Sequence, residues 1–524
     1  MSQAVKQGSP SRRISSVGVG VGLSLFLGAA FGLGGLTLAG CLRIGLVEDR
    51  SSGDETKTDG MTQVDAGPNA DTETKTDGGP YDADTDADIA NDASMVDGGG
   101  DRDDASGADA ERTPDAQALD VGTSADAADW TRNIPDLCAP IDWASIDETI
   151  LHANPNQAAG LDAILDGAPE GATLLLEDGS YILSTPLTIT TRGLIVRALS
   201  GNRERVILRG GAPNTPVLSI LADNVAIASL TIRDSVDDAI QVGLGNVNES
   251  AHGTVFYDIS VIDSRNADIR ARAYSDGGLI ACSSFLRTDD LRQRTGGSCA
   301  SFYGLNLSGV RDWRVELNLL RGHNCGNLAT GPSIGLQTGT RDIQVLRNVI
   351  VDPFQGIRSG LDSVSNPDRR IYFDTPCGDA SNIDNVGGII ANNFVFSSHS
   401  DFDTGIAAWS SCDTLIAHNT IYSADHSRQL SSIEWRDPIT DVTVSNNLTN
   451  FRLLERDGAQ ATVENNIDDM DANWVVDPLH GDLHLTEAAV DAIGGASLLP
   501  VTGCTVDIDG ETRSDPADIG ADER

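Results

Sequence analysis

Val315-Glu-Leu-Asn318-Leu-Leu, Val345-Leu-Arg-Asn348-Val-Ile, Ile390-Ala-Asn-Asn393-Phe-Val, Ile416-Ala-His-Asn419-Thr-Ile, Val444-Ser-Asn-Asn447-Leu-Thr and Val463-Glu-Asn-Asn466-Ile-Asp repeat one phrase. An aliphatic residue is followed by two variable residues, an Asn and the apolar start of a second strand. Successive Asn positions lie 30, 45, 26, 28 and 19 residues apart, so the phrase is constant while the loops between copies vary. That combination marks the coils of a solenoid. Asn suits a tight corner between two short strands because it tolerates left-handed backbone angles and bonds locally. Stacking the coils puts the Asn side chains above one another, where each amide can bond the coil above and the coil below. The alternative is a set of unrelated turn residues in an antiparallel sheet, but the Asn-Gly and Asp-Gly signals of hairpins are scarce between these strands.

Toward the N-terminus, Ile227-Ala-Ser-Leu230-Thr-Ile, Phe256-Tyr-Asp-Ile259-Ser-Val and Ile280-Ala-Cys-Ser283-Ser-Phe carry the same phrase with an apolar or small residue at the corner. Before them, Ala159, Leu161, Ala163, Ile164 and Leu165 stand near helical spacing between Asn156 and Asp166. A short helix there would cover the open first coil and protect its strand edges. Over roughly Asn156 to Asp468 the chain resembles the right-handed parallel β-helix repeat family, the architecture of pectate-lyase-like enzymes. The stretch from Leu161 to Tyr181 is similar to the way many members begin. Gly481-Asp-Leu-His-Leu, Asp507-Ile-Asp-Gly-Glu-Thr-Arg513 and Asp518-Ile-Gly-Ala-Asp-Glu523 are similar to the tails of exported bacterial β-helix proteins. The resemblance implies an all-β fold, a right-handed parallel β-helix solenoid with a short N-terminal capping helix, occupying residues 135–524. The family holds lyases, hydrolases, epimerases, adhesins and proteins of no known activity, so the fold leaves function open.

Two other regions precede this domain. Residues 1–40 carry Lys6, Arg12 and Arg13, an apolar run from Val17 to Leu38, and then Leu38-Ala39-Gly40-Cys41, the order of an export signal. Leu-Ala-Gly-Cys resembles the lipobox of bacterial lipoproteins, which implies cleavage before Cys41 and lipidation of its sulfur. An uncleaved membrane anchor is the alternative, since the run is about long enough to span a bilayer. Residues 41–134 are rich in Asp, Ala, Gly, Thr and Ser. From 42 to 130 there are 24 acidic against 6 basic residues, a net of -18 out of -42 for the chain. Such a segment is expected to stay disordered and to extend as a tether by self-repulsion. No nucleic-acid partner is expected.

Parallel coils also assign the outward side chains. One strand of each coil has an inward Ile or Leu, and alternation then turns Gln241, Arg270, Asn306, Gln337, Arg358, Trp409, Glu434, Arg436 and Arg456 outward. In the resembling enzymes this face is the usual polysaccharide groove. A row of Arg, amides, a Trp and a carboxylate suits a polar or acidic glycan, and it equally suits a merely solvated outer face. Within it, Gln241, Asn306, Gln337, Trp409 and Arg456 are expected to contact substrate. Arg270, Arg358, Glu434 and Arg436 are the candidate catalytic groups, with Arg272 a further cation and His252, His323 or His426 as loop partners. From residue 131 onward the chain has no Lys, which excludes lyases of this fold that use a Lys base. Asp237-Asp238 resembles a fragment of the paired carboxylates of glycoside hydrolases on this fold, although Asp-Asp before a strand is more often turn chemistry.

The 8 cysteines include Cys41; export permits disulfides, and Cys282 with Cys299 and Cys377 with Cys412 are the expected pairs because each closes a long loop. No cofactor is indicated, although Ca²⁺ along the Asp-rich segment is possible. Two functions fit: a cell-envelope or surface lipoprotein, in the outer membrane facing the periplasm or cell surface, whose β-helix binds carbohydrate without a complete catalytic motif, or a polysaccharide lyase or hydrolase acting on an acidic glycan. The expected partners are a glycan and, through the lipid, the bilayer.

Overall fold

The computed structural model describes Cys138, Ile141, Trp143 and residues 149–524, apart from 211–214, 289–301, 327–328, 362–368 and 379. The expected signal, Cys41, the acidic linker and Cys299 lie outside the described residues. Among those described, no helix is long and apolar enough to cross a membrane.

The coils lay their strands in three parallel sheets, of ten, fourteen and ten strands in the order the chain visits them, two coils giving the second sheet an extra short strand, and the domain is a right-handed parallel β-helix. In one coil Gln355–Ser359 lies in the first sheet, Ile389–Ala391 in the second and Phe394–Ser397 in the third. The next coil repeats this with Thr404–Trp409, Ser411–Ala417 and Thr420–Ser423, all pairing in parallel. Three files of aliphatic side chains fill the interior. Val315, Val345, Ile390, Ile416 and Val444 are in register in the second sheet. Ile269, Leu305, Ile334, Ile357, Ile406 and Ile433 do the same in the first, and all are 0% exposed. Branched aliphatic residues pack well on a pleated surface, so identical files reinforce one register.

The Asn residues form a continuous ladder. Asn318 Nδ2 donates to Asn348 Oδ1 at 3.0 Å, and the same bond joins Asn348 to Asn393, Asn393 to Asn419, Asn419 to Asn447 and Asn447 to Asn466 at 2.8–3.0 Å. Each oxygen also accepts the backbone N–H of the preceding ladder Asn, as Asn419 Oδ1 does from Asn393 N at 3.1 Å. Each Nδ2 also reaches a backbone carbonyl one coil back, Ile390 O in the case of Asn419. Ser283 continues the line, donating its N–H to Asn318 Oδ1 and accepting the Ile259 N–H on its hydroxyl. The left-handed residue is not the ladder Asn, as the sequence suggested, but the one before it: Leu317, Arg347, Asn392, His418, Asn446 and Asn465 have φ of 51–58°. That residue makes the corner, and the Asn satisfies the backbone groups that the corner strands.

Short segments close and cover the solenoid. Leu161–Asp166 is the expected helix, preceded by a 3-10 turn over Pro155–Gly160 that Asn154 and Gln157 cap reciprocally. Its Leu161 and Leu165 are buried over the first coil. Cys138, Ile141 and Trp143 lie across the outer face of the second sheet against Tyr257, Ala281 and Leu317. Cys138 there forms a disulfide with Cys282, so the expected Cys282–Cys299 pair does not form; Cys377–Cys412 forms as expected. Closing the long loop after Cys282 points to Cys299, whereas the segment with Cys138, Ile141 and Trp143 lies over the coil that carries Cys282. Cys325 is also disulfide-bonded, and Cys504 is free and buried. From Met470 onward the tail covers the outer face of the third sheet, where Val349, Val351, Phe394, Phe396 and Tyr422 meet Val475, Leu483, Leu485 and Ile519. Leu499 and Val501 then reach Leu346, Ala391 and Ala417 on the second sheet.

The ladder sets the first test. Asn419→Ala removes the partners of several buried groups at once, so it should lower unfolding free energy by about 1 to 3 kcal/mol. Asn202→Ala, at an exposed position whose Oδ1 accepts one local N–H, should be close to neutral. Denaturant midpoints of the two variants measure the difference; equal and negligible effects would refute the ladder's role.

Candidate functional site

The chain's own segments overlie apolar patches on the second and third sheets, whereas the outer side of the first carries polar side chains. Its outward side chains form two files. Gln241, Arg270, Asn306, Gly335, Arg358, Ala407 and Glu434 are successive register partners, each one position after the inward aliphatic residue. Two positions further along the strands, Ser308 pairs with Gln337 and Trp409 with Arg436. Coils rise by about 4.8 Å, so Arg358 and Glu434, two coils apart, stand roughly 10 Å from each other.

In the middle coils the side chains bond one another. Gln337 Nε2 donates to Asn306 Oδ1 at 3.1 Å. Arg358 donates from Nη2 to the Tyr303 hydroxyl at 3.1 Å and to Gln337 Oε1 at 3.3 Å, and from Nη1 to Gln355 Oε1 at 3.3 Å. Tyr303 can lie there because the coil below it has Gly335, whose Cβ would fall 3.2 Å from the phenol ring. Gln355 is itself held by Asp403, to which its Nε2 donates at 2.8 Å. Among the described residues, all the hydrogen-bond partners of Arg358 are thus neutral. The residue is 6% exposed, its Nε has no partner, and no carboxylate among the described residues lies within ion-pair distance.

Trp409 joins this group to the next coils. The Arg358 guanidinium carbon, from the coil before, lies 5.1 Å from the Trp409 ring centroid, and that of Arg436, from the coil after, lies 4.8 Å away. Its Nε1–H donates to Glu434 Oε1 at 2.6 Å, while Arg456 Nη1 contacts Glu434 Oε2 at 3.3 Å. The expected quartet of Arg358, Trp409, Glu434 and Arg436 therefore stands on one face. The Trp409 ring, expected to contact substrate, is engaged by cations from both neighbouring coils. Glu434 is 0% exposed. Burial raises its pKa, against the opposing pull of the Trp409 hydrogen bond and of Arg456.

Other expected residues stand apart. Arg270 is locked in a two-pronged ion pair with Asp238, Nε to Oδ2 at 2.7 Å and Nη2 to Oδ1 at 3.1 Å. Asp237 accepts from Asn266 Nδ2 at 3.2 Å, so the Asp-Asp pair serves the turn. Gln241 donates to the nearby Gly243 carbonyl. His323 is fully buried against Asp268 at 2.8 Å, and burial lowers its pKa. His252 bonds Ser250, and His426 stacks on Phe451 and meets Gln429. Among the described residues, no group of three metal-ligating side chains forms on this face.

Sequence reasoning missed Tyr303, Gln355 and Asp403. Tyr303 and Gln355 precede Leu305 and Ile357 by two residues, so strict alternation sends them inward. Each opens its strand, where the corner turns the side chain out.

The buried carboxylate gives a pH test. A pKa raised above 4.5 means that the folded state binds the Glu434 proton more tightly than the unfolded state. Its contribution is therefore favourable at low pH and declines as pH rises from 4.5 through the folded value. Glu434→Gln retains an acceptor for Trp409 without a buried charge. Its melting temperature should gain on that of the natural chain as pH rises across this window; parallel curves would contradict the assignment.

No protein-family model matches the chain, and no curated protein matches it. Among solved structures it is similar to the pectate lyase Pel9A, with 13% identity, TM-score 0.40, and 72% of this chain and 97% of that one covered. It is similar to a rhamnogalacturonan lyase at 11% identity and TM-score 0.42, covering 65% and 97%. The tailspike protein of E. coli bacteriophage HK620, solved with a pentasaccharide, matches at 14% identity and TM-score 0.38, covering 60% and 55%.

Proposed function

We propose that the outward face of the first sheet binds an acidic carbohydrate, with Arg358, Arg436 and Arg456 addressing the sugar carboxylates. The supporting observation is the Arg358 guanidinium: buried, surrounded by neutral partners and lacking an ion-pair carboxylate among the described residues. A desolvated cation held without its counter-charge is costly unless an anion completes it, and a planar guanidinium matches a carboxylate. Arg436, 19% exposed and 3.6 and 3.5 Å from Asp437 and Asp457, and Arg456, 33% exposed and paired with Glu434, lie at the edge of this face, where a sugar carboxylate has to compete with the chain's own. The domain as a whole is acidic, so the attraction has to be local to this face.

Binding without chemistry is the reading preferred, because Arg270 is already neutralised by Asp238 and the histidines proposed as partners hold contacts elsewhere. One observation favours a lyase or hydrolase instead: a buried Glu434 with a raised pKa suits a group that protonates a leaving oxygen.

Titration of the purified chain with pectin, alginate, glycosaminoglycans and neutral glycans separates these readings. An acidic polymer should bind, weakening with salt, and Arg436→Ala or Arg358→Gln should reduce affinity about ten-fold or more. Equal binding of neutral glycans, unchanged in both variants, would overturn the proposal. Ultraviolet absorbance of an unsaturated product, or new reducing ends, would establish catalysis.

The same reading includes anchorage of the domain to the cell envelope through lipid on Cys41. Cys41→Ser should abolish metabolic lipid labelling and release the protein from membranes, because a hydroxyl cannot take the thioether. Unaltered labelling and partitioning would reject the lipoprotein assignment.

A further inference from the structure

The three phrases of the tail take no part in the first-sheet face, yet the fold brings them together. Asp482–Leu485 is a strand paired antiparallel with Val475–Asp477, and it places the His484 ring edge-on against Phe394 of the third sheet, centroids 5.1 Å apart. His484 Nδ1 contacts Asp482 Oδ1 at 2.6 Å, which turns Nε2 toward Asp509 Oδ2 at 3.0 Å. Asp522 is 7% exposed and accepts the Leu485 N–H on Oδ2 at 2.7 Å. One ligand atom from each of His484, Asp509 and Asp522 lies within 4.8 Å of the others. Asp507 fixes the two carboxylate-bearing segments, accepting the N–H of Glu511 on Oδ1 at 2.7 Å and that of Glu523 on Oδ2 at 3.1 Å.

We propose that His484, Asp509 and Asp522 bind a divalent transition-metal ion, with zinc as the reference ion. An imidazole nitrogen with two carboxylate oxygens is a donor set for zinc, whereas calcium takes oxygen alone. Asp482 is the outer carboxylate that orients the imidazole, an arrangement usual for metal-bound histidine. The Asp509 side chain is 45% exposed, so the ion enters from that side and water completes a fourth position. Each ligand comes from a different phrase of the tail, so the ion fastens the hairpin, the Asp507–Gly510 turn and the C-terminal segment to one another over the third sheet. This site is separate from the carbohydrate face and does not depend on that reading.

The test is calorimetric titration of the full chain, stripped with a chelator, with zinc chloride, alongside His484→Gln, Asp509→Asn and the control His480→Gln. His480 sits in the turn of the same hairpin but contacts Asp477. The natural chain and the control should take up one tight equivalent, and their melting temperature should rise with zinc. His484→Gln and Asp509→Asn should lose affinity by about ten-fold or more and lose the thermal shift, while circular dichroism confirms the fold. Absence of tight uptake by the natural chain, or equal uptake by all four proteins through the acidic linker, would overturn the proposal.

Discussion

Amide-to-amide hydrogen bonding down the Asn ladder is the constraint from which the rest of this structure follows. A corner sharp enough to join two short strands needs a left-handed residue, and it strands backbone N–H and C=O groups in the interior between coils. In the buried corners from Asn318 to Asn447, one side chain meets both demands, accepting an N–H from the previous coil and donating to its carbonyl. Because the ladder oxygen is an acceptor for the neighbouring Asn as well, each rung sets the height of the next. The inward aliphatic files are then in register without further specification, and so are the outward files of the first sheet.

Register alone does not make a functional surface, and the covering segments supply the selection. Strands buried on one face still present the other, and in the third sheet that outer face is apolar, with Val349, Val351, Phe394 and Phe396 in line. The tail buries it. On the second sheet the Cys138 segment and the Leu499–Val501 segment do the same for smaller patches. The first sheet carries amides, arginines, a tryptophan and a carboxylate instead, and in its middle coils these side chains bond one another. The division of labour among three outer faces is therefore written in their side-chain chemistry.

The coils were legible in the sequence because their signal is local and repeated: an aliphatic residue three positions before an Asn fixes both the corner and the inward file. The capping helix was legible because its apolar spacing is local as well. Relations between coils were less so. That Arg358, Trp409, Glu434 and Arg436 share a face follows from counting positions from the inward Ile. That Asp238 occupies Arg270, or that arginines engage the Trp409 ring from both neighbouring coils, depends on side-chain reach across coils separated by loops of unequal length. The Cys138–Cys282 bridge joins residues 144 apart, and no spacing argument selects it over the nearer Cys299. The tail phrases were visible as phrases, but their convergence on His484 requires the hairpin that Val475 and Leu485 close.

A ladder in which each rung touches only its two neighbours has no unique centre, and this bears on how such a chain changes length over evolutionary time. Removing or duplicating one complete coil, from one ladder Asn to the next, would leave every remaining rung with an identical partner and every aliphatic file unbroken. Loss of a single residue within a strand would instead exchange the inner and outer side chains beyond it. Insertions between strands carry neither penalty, which accounts for the unequal separations of the Asn residues. Variation in a lineage of such proteins is therefore expected to come in whole coils and in loops.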